Sequence, residues 1–148
     1  MGIEQRRESM ALLARADGVR VAAAWAAFPD KPDYKVLRGP ETGLVMVRGR
    51  VGGGGKPFNL GEVTVTRATV QLTGGGVGHA YCLGRDADKV VRAAVFDALW
   101  QAEETRGAVE REVIEPLRAD AASADRTRRD ETAATQVDFF TMVRGEDE

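Results

Sequence analysis

Apolar residues recur at helical spacing in the first part of the chain. Residues 4–16 and residues 18–28 both repeat them three and four positions apart, which predicts two helices. Asp17 lies just before the second repeat, where its carboxylate suits a helix N-cap. Pro29 and Pro32 then prevent the second helix from continuing, because proline lacks the amide hydrogen that a helix interior requires. We therefore expect the chain to start with a pair of helices.

From Tyr34 onward the apolar spacing changes to two, as in β-strands. The sequence GPETG at 39–43 and the three glycines at 74–76 are turn signals. The apolar side changes near Thr66, which indicates a bulge or a change of neighbours. Because the connections are short, we expect the strands to pair as an antiparallel meander. The predicted strands are residues 34–38, 44–51, 62–73 and 77–84.

Helical spacing returns after the strands. Asp86 suits the N-cap of a helix over residues 86–105, and Gly107 is expected to end it. Residues 109–120 continue helically with an interruption at Pro116.

The last part of the chain is first polar and then apolar. Residues 120–136 contain no large apolar residue and carry dense mixed charge, so they form either an exposed helix or a disordered arm. The patterns together predict an α+β fold: an antiparallel meander of about four strands, an N-terminal helical pair, C-terminal helices and an extended apolar C-terminal tail. We expect one domain over residues 1–148, in which residues 120–148 are a candidate arm for docking on a partner.

Length, composition and charge exclude several classes of function. A chain of 148 residues with 43% hydrophobic residues suits one soluble domain. Its formal net charge of −2 provides no overall positive field for nucleic acid or an anionic membrane. The longest apolar-rich run, residues 21–28, is too short to cross a bilayer, and the N-terminus has no signal-peptide pattern. We therefore expect a cytoplasmic protein that binds neither nucleic acid nor membrane.

The stretch VRGRVGGGGKPFNLGE contains four consecutive glycines: Gly52, Gly53, Gly54 and Gly55. A phosphate loop of the Walker type needs Ser or Thr after its lysine and a helix behind it. Here Pro57 follows Lys56 and a strand comes next, so the loop is not of that type. Two interpretations stay open: a hairpin tip that requires or tolerates positive φ, or a mobile finger that orders against a partner protein or a phosphorylated ligand. In the second case Arg48, Arg50 and Lys56 would supply positive charge.

No residue set indicates self-sufficient catalysis. His79 is the one candidate for a general base near neutral pH, but apolar neighbours on its strand face favour a packing role. Cys82, the only cysteine, is expected to be a small buried apolar residue, and it excludes an internal disulfide and a cysteine-built zinc site. Helix capping and solvated helix faces account for the carboxylates of Asp86, Asp88 and Asp97.

Two further features suit binding. Arg48, Arg50 and Arg67 lie on adjacent predicted strands, where they form either a patch for phosphate or carboxylate or an ordinary solvated face. Phe139 and Phe140 in the tail need apolar cover, either from the chain's own domain or from another subunit.

Five sequence blocks resemble the PhnG family, the G subunits of the bacterial carbon–phosphorus lyase core complex. They occur in the family's order and extend over nearly the whole chain. The blocks are MALLA at 10–14, ETGLV at 41–45, TRATVQLT at 66–73, GRD at 84–86 and DFFTMVRG at 138–145.

The resemblance implies a subunit of a complex that contains two copies each of G, H, I and J proteins. In that pathway the G, H and I subunits, with an ATPase-like L protein, attach an alkylphosphonate to ribose C1 of MgATP and release adenine. The iron–sulfur J subunit later cleaves the carbon–phosphorus bond with S-adenosylmethionine. The resemblance transfers no catalytic residue and implies no cofactor in this chain, MgATP being a substrate of the complex. The I subunit is its expected main partner.

Three roles follow as hypotheses. The chain is a structural and activating subunit of a transferase, inactive alone; or it binds ATP or phosphonate; or His79 is catalytic. The proposed substrate-binding residues are Arg48, Arg50, Lys56 and Arg67. The proposed partner interface consists of Gly52, Gly53, Gly54, Gly55, Phe139, Phe140 and Met142.

Overall fold

Two helices open the fold, as the apolar spacing predicts. In the computed structural model, which describes residues 2–135, α1 spans Ile3–Arg15 and α2 spans Gly18–Ala27. The Asp17 carboxylate accepts a hydrogen bond of 2.9 Å from the amide of Val19, so Asp17 is the N-cap of α2. Both helices and the cap are confirmed.

A three-stranded antiparallel sheet follows, in the spatial order β1–β2–β3. The strands span Tyr34–Arg50 in β1, Pro57–Leu72 in β2 and Val77–Leu83 in β3. The α+β class and the antiparallel meander are confirmed. Residues 2–135 form three strands rather than about four, because the first two predicted strands are one continuous strand.

The segment 39–43 is an irregularity inside β1 rather than the predicted turn. Gly39 has a φ of 75°, and the β1–β2 register shifts between Arg38 and Glu41, so the strand is distorted there without reversing. Arg38 and Glu41 both lie opposite residues of β2. The turn prediction is wrong because long-range pairing with β2 keeps this segment extended.

The central helix α3, Ala87–Gln101, packs across one face of the sheet. Asp86 is its N-cap, as predicted, and accepts a hydrogen bond of 2.9 Å from the Lys89 amide. At Gly78 the helix comes so close that a Cβ atom would lie 1.9 Å from the carbonyl oxygen of Ala94. The core around α3 includes Leu13, Val21, Phe28, Val70, Phe96, Leu99, Trp100, Val109, Val113 and Ile114.

The helical run breaks earlier than predicted. Ala102 has a ψ of 132° and separates α3 from α4, Glu103–Val109, which runs straight through Gly107. The side chains of Thr105 and Arg106 donate hydrogen bonds to carbonyl oxygens at the end of α3. These bonds satisfy the carbonyls that a helix end leaves free, so the stop occurs at Ala102 and the prediction of Gly107 is wrong.

A π-helical turn, Glu110–Ile114, joins α4 to α5, which spans Glu115–Ala134. Pro116 lies in the first turn of α5, where its missing amide costs little. The irregularity predicted near Pro116 is this π turn. Leu117 is the last buried residue of α5, and the remainder of that helix is exposed, which is one of the two forms expected after position 120.

Two elements project from this body. β3 pairs with residues 65–71 of β2, so farther out β1 and β2 form a two-stranded ribbon. We call this ribbon, residues 44–64, the arm. The described helices pack on one face of the sheet, and we call the other face the open face. Beyond Leu117, α5 extends for about 25 Å at 1.5 Å per residue. The predicted tail and its Phe139, Phe140 and Met142 lie outside the described residues.

Candidate functional site

The arm carries apolar side chains on both of its faces. Cross-strand pairs alternate between the side that continues the open face and the reverse side. On the open side Val45 and Phe58 are 37% and 42% exposed, and on the reverse side Leu44 and Met46 are 63% and 50% exposed. An isolated two-stranded hairpin is at best marginally stable in water. Apolar side chains on both faces, left uncovered by the described residues 2–135, are typical of a surface that binds further polypeptide.

A continuous line of apolar side chains follows the open face from the arm onto the sheet. The register pairs Val45 with Val63 and Val65 with Leu83. Past a one-residue bulge in β2, the ring of Phe58 follows on the same side. We call this line the apolar strip; it consists of Val45, Val47, Phe58, Val63, Val65, Tyr81 and Leu83. The change of apolar side near Thr66 is thus a change of neighbours, since β2 faces α3 on one side and the open face on the other.

The glycine run forms the tip of the arm. Gly52 and Gly53 have φ values of 59° and 76°, which residues other than glycine rarely adopt. The amide of Gly55 donates a hydrogen bond of 2.9 Å to the carbonyl of Val51, closing the turn. The run is therefore a hairpin tip that requires positive φ. Contact of the tip with a partner stays a prediction.

The four basic residues that we predicted to bind substrate do not form one patch. Arg48 and Arg50 lie on the reverse side of the arm, and Lys56 lies at its tip. Arg67 lies on the open face of the sheet, opposite Glu41. Glu41, opposite Arg67, lies seven positions before Arg48 in β1, so the two positions are about 23 Å apart along the strand. Substrate binding by these residues stays a prediction, and it would have to involve them separately.

A charged cluster borders the apolar strip where the arm meets the sheet. Glu41 accepts hydrogen bonds from Arg67 and, at 2.9 Å, from Arg38. The hydrogen bond from Arg67 lowers the pKa of Glu41, and the charges of both arginines act in the same direction. Beside this cluster is a shallow cavity of about 260 Å³ whose lining includes Glu41, Arg67, Val65 and Tyr81. The strip thus ends in a polar, hydrogen-bonding region.

His79 is exposed on the open face, so the predicted packing role is wrong. Its Nδ1 atom lies 3.1 Å from Oγ1 of Thr69. Cys82 is 2% exposed, and burial raises the pKa of its thiol, so the prediction of a buried apolar cysteine is confirmed. Among residues 2–135, His, Cys, Asp and Glu side chains do not gather in threes at a distance suited to a metal ion.

One buried carboxylate escaped sequence analysis. Asp97, expected on a solvated helix face, has a side chain only 1% exposed. It accepts hydrogen bonds from Nη2 and Nε of Arg6, at 2.8 and 3.0 Å, and from the His79 amide at 2.9 Å. Hydrogen bonding to Asp97 raises the pKa of Arg6. The helical spacing does indicate that Asp97 is buried, because it lies four and seven residues after Ala93 and Val90, both of which are buried in the same helix. The carboxylate joins α1, β3 and α3 and so supports the sheet from which the arm extends.

None of the described helices combines the length and apolar content needed to cross a bilayer. The chain matches the family described as "Phosphonate metabolism protein PhnG" over residues 4–145. It is also similar to "Alpha-D-ribose 1-methylphosphonate 5-triphosphate synthase subunit PhnG" of Rhizobium meliloti (strain 1021). The two are 57% identical over 146 residues, which cover 99% of this chain and 93% of the relative.

Proposed function

Because the chain belongs to the PhnG family of phosphonate-metabolism proteins, we propose that it is a subunit of an alpha-D-ribose 1-methylphosphonate 5-triphosphate synthase. The similarity to a relative with that name, over nearly the full length of both chains, supports the proposal. The complex transfers an alkylphosphonate to ribose C1 of MgATP and releases adenine. The other components are the H, I and J subunits of the carbon–phosphorus lyase core complex and an ATPase-like L protein, all in the cytoplasm.

Within the complex this chain organises partners and lacks a reaction centre of its own. The observation that carries this role is the arm, which presents apolar side chains on both faces without support from the described part of its own chain. Such a surface suits assembly, because burying it in a partner removes the apolar area from water. The tip Gly52–Gly55 and the tail residues Phe139, Phe140 and Met142 are further parts of the interface, with the I subunit as the main partner.

The second candidate role is contact with ATP or phosphonate. The cavity lined by Glu41, Arg67 and Tyr81 favours it, since a phenol and a guanidinium are suited to an anionic group, which would compete with Glu41 for Arg67. Arg48, Arg50 and Lys56 lie elsewhere on the arm and would act at another point of the substrate. MgATP is in either case a substrate of the complex, and the magnesium ion arrives with it.

Adenine release from MgATP and methylphosphonate tests the main role. We expect release when the H, I, J and L proteins are combined with this chain, and at least tenfold less when it is omitted. We also expect none from this chain alone, and release of adenine by the purified chain would refute the proposal. Deleting residues 137–148 should weaken co-purification with the I subunit.

A charge substitution separates the two roles. Arg67→Ala should leave the KM values of the assembled complex for ATP and phosphonate unchanged if the chain only organises partners. If the chain contacts substrate, Arg67→Ala should raise the KM for ATP or phosphonate while the complex still assembles. Arg129→Ala, on the exposed part of α5, is a matched control for loss of one positive charge.

A further inference from the structure

We propose that the apolar strip is the docking surface for a partner protein that offers an apolar groove rimmed by carboxylates. The proposal rests on the proposed function in one respect: the partner is another subunit of the synthase. It adds which surface of this chain is buried and what chemistry the opposing surface has.

The extent of the strip suits a protein partner. It runs along the arm and continues onto β3, where Tyr81 and Leu83 are still 48% and 70% exposed. The seven residues of the strip suit the apolar core of a standard protein–protein interface, whose remaining residues on each side form a polar rim. Aromatic and aliphatic side chains in the middle of such a surface are typical of its buried core.

The positive charge of the arm indicates which side chains line the rim of the partner's groove. The arm contains three basic residues, Arg48, Arg50 and Lys56, but a single acidic residue, Glu62, in a chain whose formal net charge is −2. Arg48 and Arg50 lie on the reverse side and Lys56 lies at the tip, so the strip itself carries no charge and a groove that encloses the arm would meet the basic side chains at its edge. A partner with carboxylates at the edge of its groove would pair with them and gain orientation as well as affinity.

The same charges argue against a second copy of this chain as the occupant. In two copies paired through the strip, a twofold axis across the arm would bring the tip of each arm to the base of the other, and an axis along the arm would bring tip to tip and base to base. The base carries Arg38 and Arg67, and these two arginines share the single carboxylate of Glu41. Basic side chains would then face basic side chains, which disfavours self-association.

The root of the arm is held rigidly. Val65 and Thr66, where the arm joins the sheet, are 6% and 1% exposed. The hydroxyl of Thr66 donates a hydrogen bond of 2.6 Å to the carbonyl of Gly84 and lies 3.0 Å from the hydroxyl of Thr42. A surface anchored in this way loses less conformational entropy on binding than a free loop does.

Co-purification with a tagged I subunit, co-expressed with the H and J subunits, tests the proposal. Val45→Asp and Phe58→Asp place a carboxylate in the strip, where it would meet an apolar wall and acidic neighbours. We expect each to lower the apparent affinity for the partner at least tenfold, as at a binding hot spot. Val19→Asp, at an apolar residue of α2 that is 74% exposed, is the matched control and should leave binding unchanged. The purified variants should keep the wild-type circular dichroism spectrum, because the altered side chains do not belong to the core.

Thiol labelling gives a second readout. Cys82 is buried, so a single exposed cysteine reports its own surroundings. Val45→Cys should react with a maleimide at least tenfold more slowly in the assembled complex than in the free chain. Val19→Cys should react at the same rate in both.

Several results would overturn the proposal. If wild-type chain does not co-purify with the H, I and J subunits, both this inference and the proposed function fail. If it does, and Val45→Asp and Phe58→Asp co-purify equally well, only the inference fails. A wild-type dimer that Phe58→Asp converts to a monomer would assign the strip to a second copy. If Val45→Cys is labelled faster in a chain ending at residue 135 than in the full chain, the strip binds the chain's own tail. If the chain retards duplex DNA in a gel and this depends on the arm, the strip binds nucleic acid.

Discussion

Replacing the buried carboxylate of Asp97 is the sharpest test of how the body supports the arm. In Asp97→Ala, the His79 amide loses its acceptor, and a buried unsatisfied amide costs about 1–3 kcal/mol. The guanidinium of Arg6 loses its partner too, but its side chain is 31% exposed and regains water, so its contribution is smaller. We therefore expect Asp97→Ala to lower the free energy of unfolding by about 2–4 kcal/mol.

Removing the cation instead should cost at least as much. Arg6→Met leaves the Asp97 carboxylate, 1% exposed, with hydrogen bonds only from neutral donors. An uncompensated buried charge typically costs about 3–5 kcal/mol. In the double variant Arg6→Met/Asp97→Ala neither charge remains, so we expect it to be no less stable than Arg6→Met alone. The coupling energy between the two sites should then be at least about 2–4 kcal/mol, which is the cost expected for Asp97→Ala alone.

Urea and thermal unfolding, followed by circular dichroism, measure these differences. For a chain of this size, 1 kcal/mol corresponds to a change in Tm of about 4 °C. The matched control is Asp88→Ala, in the same helix, where the carboxylate is 83% exposed and pairs with Arg92 at 3.7 Å. The control should stay within about 1 kcal/mol of wild type. Strictly additive effects of Arg6→Met and Asp97→Ala, or an Asp97→Ala variant as stable as the control, would refute this account of the pair.

Three further predictions follow from close packing, burial and charge. Gly78→Ala should lower the free energy of unfolding by about 3 kcal/mol, because the added Cβ meets the backbone of α3. The control is Gly61→Ala in the arm, where nothing lies within 4 Å of the added Cβ, and it should change the free energy of unfolding by less than about 0.5 kcal/mol. Equal unfolding midpoints for the two variants would contradict this prediction. Burial raises the pKa of the Cys82 thiol, so alkylation at pH 8 should be slow in the folded chain and fast in urea, whereas equal rates would show that the thiol is accessible. The hydrogen bond from Arg67 lowers the pKa of Glu41, so the stability that Glu41 contributes is present above the ordinary pKa of glutamate and is lost as the pH falls through the lowered value. In Arg67→Gln, the pKa of Glu41, measured by an NMR titration, should rise towards the ordinary value. Titration curves of Glu41 that coincide in wild type and variant would rule out the pairing.

The features that sequence predicts well in this chain are those set by near neighbours. Asp17 and Asp86 cap helices because each carboxylate needs only an amide two or three residues away. Contacts between distant residues explain the failures. The GPETG segment stays extended because β2 pairs with it, and Asp97 is buried because Arg6, 91 residues earlier in the chain, approaches it. Neither partner is visible from local spacing.

Only part of the candidate site can be predicted from the sequence. Alternating apolar residues in 44–51 and 62–73 predict strands, but a pattern of that kind normally implies a face buried in the chain's own core. Only the pairing shows that β3 reaches no farther than Val65, so that within residues 2–135 the outer part of the hairpin has no third strand beside it. The glycine tip was recognisable as a turn because positive φ is a local property.

The arm and the body have different requirements for stability, and this difference suits a subunit of an assembly. The body has its own core around α3, and the Asp97 pair and the close contact at Gly78 fix β3 against that helix. The arm contributes little to this core, yet β2 runs without interruption from the body into it. Substitutions in the strip can therefore change partner binding without unfolding the body, whereas substitutions at Asp97 should weaken folding and binding together. Partner binding, in turn, should raise the unfolding temperature of the whole chain, because the bound arm and the folded body share the same strand.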